Sequence, residues 1–435
     1  MKRVQLPGLC MLLFYSLVRE TLALGVDAYA PGFHTRGVDA GIYVDREDSD
    51  FAPFYMPLGP RWVLLPRITV SAALEDNPTL SSGPTERAET VYVVPGLMLL
   101  YGRPERNHVY ADAGMILPVH SSDATLDEKP SYLLVMGGWY RTGRSSVHAR
   151  AGYRRLESVD TLVGARIAKV VYTGDANLEY RISSKTSAGL LGSVAFHDYE
   201  ENRYIDYRRY YGGTRFYHRI TPKSDGFVQL GIGHDDLQQQ QTGRLGDADF
   251  YDVSIGLRGK QSTKTHISGR LGYRWRRPVD DDLEDVNHYI ASVRAETTPF
   301  GLTTFSGELL TDIRPSSTDA GTVTVEQRAT AGVSRRLISE RIRGQAYLFY
   351  GLVDYYGEEG RPVEIREDRP LVIDGREDYY WGYSLGLSWW LQHNISIGVS
   401  YSYFENVGNH GGTAAEQAQA SYTAGRWALR ASWNY

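Results

Sequence analysis

From about Arg67 onward the chain repeats one pattern: runs of roughly ten to fourteen residues in which apolar side chains alternate with small or polar ones. The clearest run is Tyr379 to Leu391. Tyr379, Trp381, Tyr383, Leu385, Leu387, Trp389 and Leu391 fall on odd positions, with Gly382, Ser384, Gly386 and Ser388 between them. The next run sets Ile395, Ile397, Val399, Tyr401 and Tyr403 against Ser396, Gly398, Ser400 and Ser402. A period of two means strand, because successive side chains of a strand point to opposite faces, whereas a helix would scatter these residues around its axis. Between His266 and Arg276, Ile267, Leu271, Tyr273 and Trp275 share one face, and Ser268, Arg270, Arg274 and Arg276 share the other. One face suits lipid and the opposite face carries charge.

The punctuation between runs alternates short with long. Short turns read SSKTS at 183–187, TPKSDG at 221–226, QSTKT at 261–265 and TTPFG at 297–301, with LISER and LQHN doing the same later. Lys185, Lys223 and Lys264 recur at hairpin pitch. The longer connections are polar, as in LQQQQTGRLGD, PVDDDLED and ENVGNHGGT. Short turns on one side and long polar loops on the other predict an all-β, transmembrane, antiparallel up-and-down β-barrel, with its short turns in the periplasm and its long loops outside the cell. A sheet in hydrocarbon must close, since no backbone polar group facing lipid can go unpaired. The runs number about eighteen, an even count that returns both ends to the periplasm; the count falls to sixteen if 87–100 and 171–182 are not strands. Alternation shifts parity at Gly425 and Arg426, which predicts either a bulge in a long last strand or a turn and an extra short strand.

Composition narrows the class. In 435 residues, 32 are Tyr against 12 Phe and 8 Trp, which favours strands and interfaces over helix interiors. The only long apolar stretch, Gly8 to Val18, falls short of the ~20 residues a spanning helix needs, so a bundle of spanning helices is excluded. A net charge of -5 argues against a nucleic-acid binder. Lys2 and Arg3 before LCMLLFYSLV, with small residues at Ala23 and Gly25, read as a secretory signal over residues 1–25. The single cysteine, Cys10, lies inside it, which leaves a mature chain free of thiol chemistry and disulfides. Residues 26–66 read as an irregular periplasmic segment that either threads into the lumen or leads to the first strand, with the barrel over 67–435. The destination is the outer membrane of a Gram-negative bacterium. The partners expected there are outer-membrane lipid, lipopolysaccharide and the barrel assembly machinery, to which a terminal run ending in Tyr435 resembles an assembly signal.

PRITVSAALEDNPTL from Pro66, ETVYVVPGLMLLYG and HVYADAGM carry a family resemblance. A first strand ending in an acidic pair and Asn, here Glu75, Asp76 and Asn77, followed by a strand with Pro95, Gly96 and Leu97, resembles the outer-membrane β-barrel porin family of the second type, some of whose members are encoded beside exopolysaccharide synthesis and export systems. The resemblance implies the barrel fold and brings no catalytic residues.

By parity, Arg150, Arg154, Arg181, Arg258, Arg270, Arg274, Arg276, Arg294, Arg328 and Arg336 face the lumen, together with Glu179, Asp235, Asp252, Glu296, Glu308 and Glu326. Two readings stand side by side. An excess of arginine in a wet channel lowers the barrier for anionic solutes, and a network of ion pairs stiffens the wall. His197 with Asp198, and His234 with Asp235 and Asp236, have the residue types of a general base and its orienting carboxylate, although no serine motif accompanies them and polar residues at loop entrances are expected anyway. The acidic run Asp280, Asp281, Asp282, Glu284 and Asp285 lacks the glycine and terminal glutamate of an EF-hand and reads as a solvated loop. No cofactor and no metal site is expected. The functional expectation is porin-like passive transport of small polar solutes, anionic or saccharide. The alternative is a closed assembly barrel of an exopolysaccharide export system that binds polysaccharide or the export apparatus through its loops.

Overall fold

The computed structural model describes residues 56–434 except 59–60, 78–86, 104–106, 122–128, 161–164, 202–203, 239–246, 280–284, 317–322, 339–340, 357–361, 367–368, 373–376, 393 and 410–420. The expected signal segment, Cys10, Tyr435 and most of the acidic run at 280–285 lie outside the described residues. Eighteen strands form one closed antiparallel barrel. They are β1 Trp62–Asp76, β2 Arg87–Arg103, β3 Asn107–Ser121, β4 Ser131–Arg141, β5 Ser145–Asp160, β6 Ala165–Arg181, β7 Thr186–Tyr199, β8 Asp206–Thr221, β9 Ser224–Gln238, β10 Ala248–Lys260, β11 Thr265–Pro278, β12 Val286–Thr297, β13 Thr303–Pro315, β14 Val323–Arg336, β15 Ile342–Tyr356, β16 Glu377–Gln392, β17 Ile395–Asn409 and β18 Tyr422–Asn434. Each pairs with its sequence neighbours, and β18 closes on β1 from Arg67 opposite Asn434 to Asp76 opposite Gly425. Met56–Pro57 adds a two-residue pairing to β1 within the same sheet, and a small hairpin of Pro362–Arg366 with Arg369–Val372 forms a separate one.

The recurring short turns share one chemistry. The hydroxyls of Thr142, Ser183, Thr221 and Ser262 each accept a hydrogen bond from the backbone N–H two residues on, at Arg144, Lys185, Lys223 and Lys264. A short hydroxyl side chain mimics a backbone turn in this way, so a Ser/Thr followed two residues on by Lys or Arg marks these periplasmic reversals. The outward faces between turns and outer rim are apolar and exposed, among them Val228, Leu230, Ile232, Val253, Ile255, Leu257 and Leu271. Tyr210, Tyr251 and Trp275 follow at the outer margin, where amphipathic rings sit at a membrane interface.

The two strands whose existence separates eighteen from sixteen, β2 and β6, are both full wall elements. The first strand begins at Trp62, five residues before the boundary expected from alternation. Pro66, which has no N–H to donate, sits at a gap in the pairing on one side of β1, between Arg67, opposite Asn434 of β18, and Leu64, opposite Met56. The expected parity shift at Gly425 is absent. Register runs without a bulge from Tyr422 to Trp433 against β17 and from Gly425 to Asn434 against β1. Tyr422 and Ala424 point inward, packed in one buried cluster with Tyr380 and Phe404. The last strand is therefore single, and Ala418 and Ala420 lie outside the described residues.

The acidic and glycine motifs at the start of the barrel sit at its closure. Glu75 pairs on the inside with Arg426 of β18 at 3.1 Å, Asp76 pairs on the outside with Arg87 of β2 at 2.8 Å, and the Asn77 side-chain amide donates to the Thr423 carbonyl at 2.8 Å. Asn77 takes φ 59°, a left-handed conformation that Asn tolerates better than most residues. On the same seam the buried Arg67 reaches across β2 to Asp112 of β3 at 2.6 Å. It crosses at Gly96, where an added Cβ would lie 2.5 Å from Arg67 Nε. Glycine of the Pro-Gly-Leu motif thus leaves the space through which β1 is tied to β3.

Candidate functional site: the charged inner wall

Pairing register decides which side chains share the lumen. Arg150 opposes Gly137, Arg258 opposes Ser268, Arg270 opposes Gly256, Arg274 opposes Asp252, Arg294 opposes Glu308, and Glu326 opposes Val353. Arg154, Arg181, Arg276, Arg328, Arg336 and Glu179 fall on the same inner face by the continuous ladders of β5, β6, β11 and β14. Arg181 and Arg336, each the last residue of its strand, lie at the periplasmic rim and the others line the wall above them.

Several inner arginines are bound to carboxylates. Near the periplasmic end, Arg258 pairs with Glu179 at 2.9 Å and with Asp225 at 3.2 Å while lying over the Tyr217 ring at 3.8 Å. Ser187 donates a second hydrogen bond to Glu179 at 2.7 Å. At mid-height Arg150 and His148 both approach Asp175 at 3.6 Å. Toward the outer end a longer chain crosses strands. Arg209 of β8 holds Asp235 of β9 through two hydrogen bonds of 2.7 and 3.2 Å, and Arg276 of β11 approaches the same carboxylate at 3.6 Å. Arg274 joins Asp252 at 3.2 Å to Asp312 at 3.5 Å; Arg314 continues to Glu326 at 3.6 Å, and the Tyr380 hydroxyl donates to Glu326. Phe250 is flanked by two guanidinium groups, Arg209 at 5.4 Å and Arg274 at 4.5 Å, a geometry favoured by attraction of a cation to a ring face.

Other inner arginines form no ion pair, although Arg294 stands opposite Glu308. Among the described residues, Arg154, Arg270 and Arg294 reach no carboxylate within ion-pair distance. Arg270 and Arg294 are diagonal neighbours on β11 and β12, since Arg270 opposes Ser292 and Arg294 opposes Ser268. Among the described residues, Arg215 bonds to the neutral Gln229, at 2.6 Å, and lies 5.1 Å from the Phe227 ring. Across the lumen, β16 and β17 present Ser384, Gly386, Ser388, Gly398, Ser400 and Ser402, small groups on the same inner parity. The periplasmic half is therefore charged on one side and small and hydroxylated on the other.

The histidine–carboxylate pairs are separated by strand geometry. His197 points inward, buried and stacked on Tyr207 at 4.2 Å, so its chain neighbour Asp198 points outward. His234 points outward and meets Asp249 of β10 at 2.9 Å, whereas Asp235 belongs to the inner network. Adjacent residues of a strand cannot form the side-by-side dyad that their order suggested.

Arg67, Asp112, Asp175, Arg209, Arg215, Asp225, Asp312, Arg314 and Arg426 also belong to the inner wall and were not singled out from sequence. Alternation of Tyr207, Arg209, Tyr211, Gly213, Arg215 and Tyr217 carries the signal for two of them. Asp312 and Arg314 sit at a strand end, where parity alone gives no distinction.

The sequence matches the family model described as putative beta-barrel porin 2 over residues 52–424. No curated protein matches it. Among solved structures it is similar to OpdK of Pseudomonas aeruginosa with vanillate, at 10% identity over 86% of this chain and 99% of that one, with a TM-score of 0.43. It is similar to OccAB4 of Acinetobacter baumannii at 11% identity over 86% and 98% of the two chains, with a TM-score of 0.44. The siderophore receptor PirA of Pseudomonas aeruginosa aligns at 10% identity over 85% and 80%, with a TM-score of 0.41.

Proposed function

The chain belongs to the putative beta-barrel porin 2 family, and from that premise we propose that this outer-membrane porin passes small polar solutes with a preference for anions. One observation carries the preference: among the described residues the inner wall holds guanidinium groups that form no ion pair, Arg154, Arg270 and Arg294, of which only Arg294 stands opposite a carboxylate, Glu308. Fixed positive charge in a confined aqueous lumen concentrates anions and repels cations. The hydroxyl-lined wall opposite suits polyhydroxylated anions such as acidic saccharides. Residues 1–25 serve as the export signal in this reading, and the outward apolar belt meets lipid and lipopolysaccharide.

Reversal potentials across planar bilayers under a salt gradient test the reading. The wild-type barrel should favour chloride over potassium, and the combined change Arg270→Gln with Arg294→Gln should lower that ratio about twofold or more, since each removes a fixed charge from the wall. A barrel that inserts with native heat-modifiable mobility and carries no current overturns transport. Equal permeability of the two ions overturns the anion preference alone.

A further inference from the structure

One stretch of the wall does not follow the ring. The ladder between β12 and β13 ends at Ala291 opposite Thr311. Beyond that point β12 still pairs with β11 as far as Val286, and β13 still pairs with β14 as far as Pro315, but no ladder joins β12 to β13 among the described residues. Had the ladder continued in register, Ile313 would oppose Tyr289 on the outward face. Instead Ile313, Val323 and Val325, all of outward parity, form one buried cluster with Val286 and Ile290, which have inward parity on β12. The outer arms of β13 and β14 therefore lie on the lumen side of β12, as in a lap joint.

The inward displacement brings β13 against the inner face of β11 and within reach of Arg209 on β8. The Ile313 carbonyl accepts a hydrogen bond from Arg209 of β8 at 3.1 Å, and Asp312 meets Arg274 of β11 at 3.5 Å. Asp235, Asp252, Phe250, Arg274 and Arg276, on the wall between, are all buried, with Asp235 at 0% exposure. Residues lining open water would not be buried in this way. Both faces of the β13–β14 arms are covered, one by β12 and one by the charged network.

We infer that the outer arms of β13 and β14, Asp312–Pro315 and Val323–Glu326, are an inward-folded constriction that sets the bore of the channel and is held by Arg209 and Arg274. The inference rests on the transport reading above. Undocking the arms restores the β12–β13 ladder, exchanges the side-chain bonds now made by the Ile313 backbone and the Tyr289 carbonyl for ladder bonds, and widens the path.

Two cysteine pairs in a Cys10→Ser background, oxidised in the membrane-embedded protein and scored by electrophoretic mobility, place the arms without reference to current. Ile290→Cys with Ile313→Cys joins the docked arrangement, and Tyr289→Cys with Ile313→Cys joins the continuous ladder. The first pair is expected to cross-link and the second is not; the reverse overturns the inference. Arg209→Ala is then expected to raise single-channel conductance about twofold or more, because conductance follows the narrowest cross-section, while the disulfide-locked Ile290/Ile313 variant keeps the wild-type value. Unchanged conductance in a correctly inserted Arg209→Ala barrel overturns the constriction and leaves the porin reading standing. Silence of wild type and variant alike removes both, and the cross-links still report where the arms lie.

Discussion

Replacing Arg426 with alanine should destabilise the folded barrel by about 3–5 kcal/mol, the cost of leaving one member of a buried ion pair uncompensated. Arg426 and Glu75 have side-chain exposures of 3% and 2% and join the last strand to the first. Arg426 also lies 5.7 Å from the Tyr92 ring, so its loss removes packing as well as charge. Urea titration of the liposome-inserted protein gives the measurement. The companion experiment separates charge imbalance from packing: Arg426→Met combined with Glu75→Gln should recover most of the loss, because replacing both partners by groups of similar shape removes the desolvation cost along with the attraction. A double variant no more stable than Arg426→Ala would show that the pair is not the source of the effect.

Leu271→Arg should cost about 2–4 kcal/mol, the penalty for a guanidinium on the lipid face near the bilayer midplane. Leu271 is 55% exposed on the outward face of β11, between Ile267 toward the periplasm and Trp275 toward the outer rim. Its chain neighbour Arg270 already carries the same group on the opposite face. Moving the charge by one residue exchanges water for hydrocarbon, so the contrast between a tolerated Arg270 and a destabilising Leu271→Arg measures parity directly. Folding into bilayers followed by urea titration reads the difference, and a Leu271→Arg barrel as stable as wild type would contradict the assigned face.

Parity made much of this molecule legible from sequence, and the places where it failed have a common cause. The runs from Tyr379 to Leu391 and from His266 to Arg276 read correctly because lipid on one side and water on the other give alternation a sign. Near the outer end that sign disappears. Tyr380, Phe404 and Tyr422 point inward and pack together with Ile167 and Tyr204, so an aromatic side chain there marks neither face. Tyr422 therefore suggested a parity shift that the backbone does not make. Alternation put the inner arginines on one face, as the ladders do, but gave no sign of their partners. Which carboxylate meets Arg209 or Arg274 depends on register between strands, and the departure of β13 from β12 leaves no trace in the alternation, which runs unbroken through Ile313. The short turns were read from their spacing, whereas the hydroxyl-to-amide bond that explains them needed coordinates.

The contacts of Glu75, Asp76 and Asn77 bear on the order of events in assembly. Two of the three join residues separated by almost the whole chain, with Asn77 and Thr423 346 positions apart. Such contacts cannot form by local zipping, and their loop-closure entropy is met only when every intervening hairpin is already in place. Until β18 meets β1, Glu75 and Arg426 are two unmatched charges on opposite free edges, each costly to move from water into a low-dielectric interior. An unfinished sheet is thereby penalised at its margins, and joining them removes the penalty in one step. Opening the finished barrel at this seam would restore it, so Glu75 and Asn77, whose contacts to β18 complete folding, also slow its reversal.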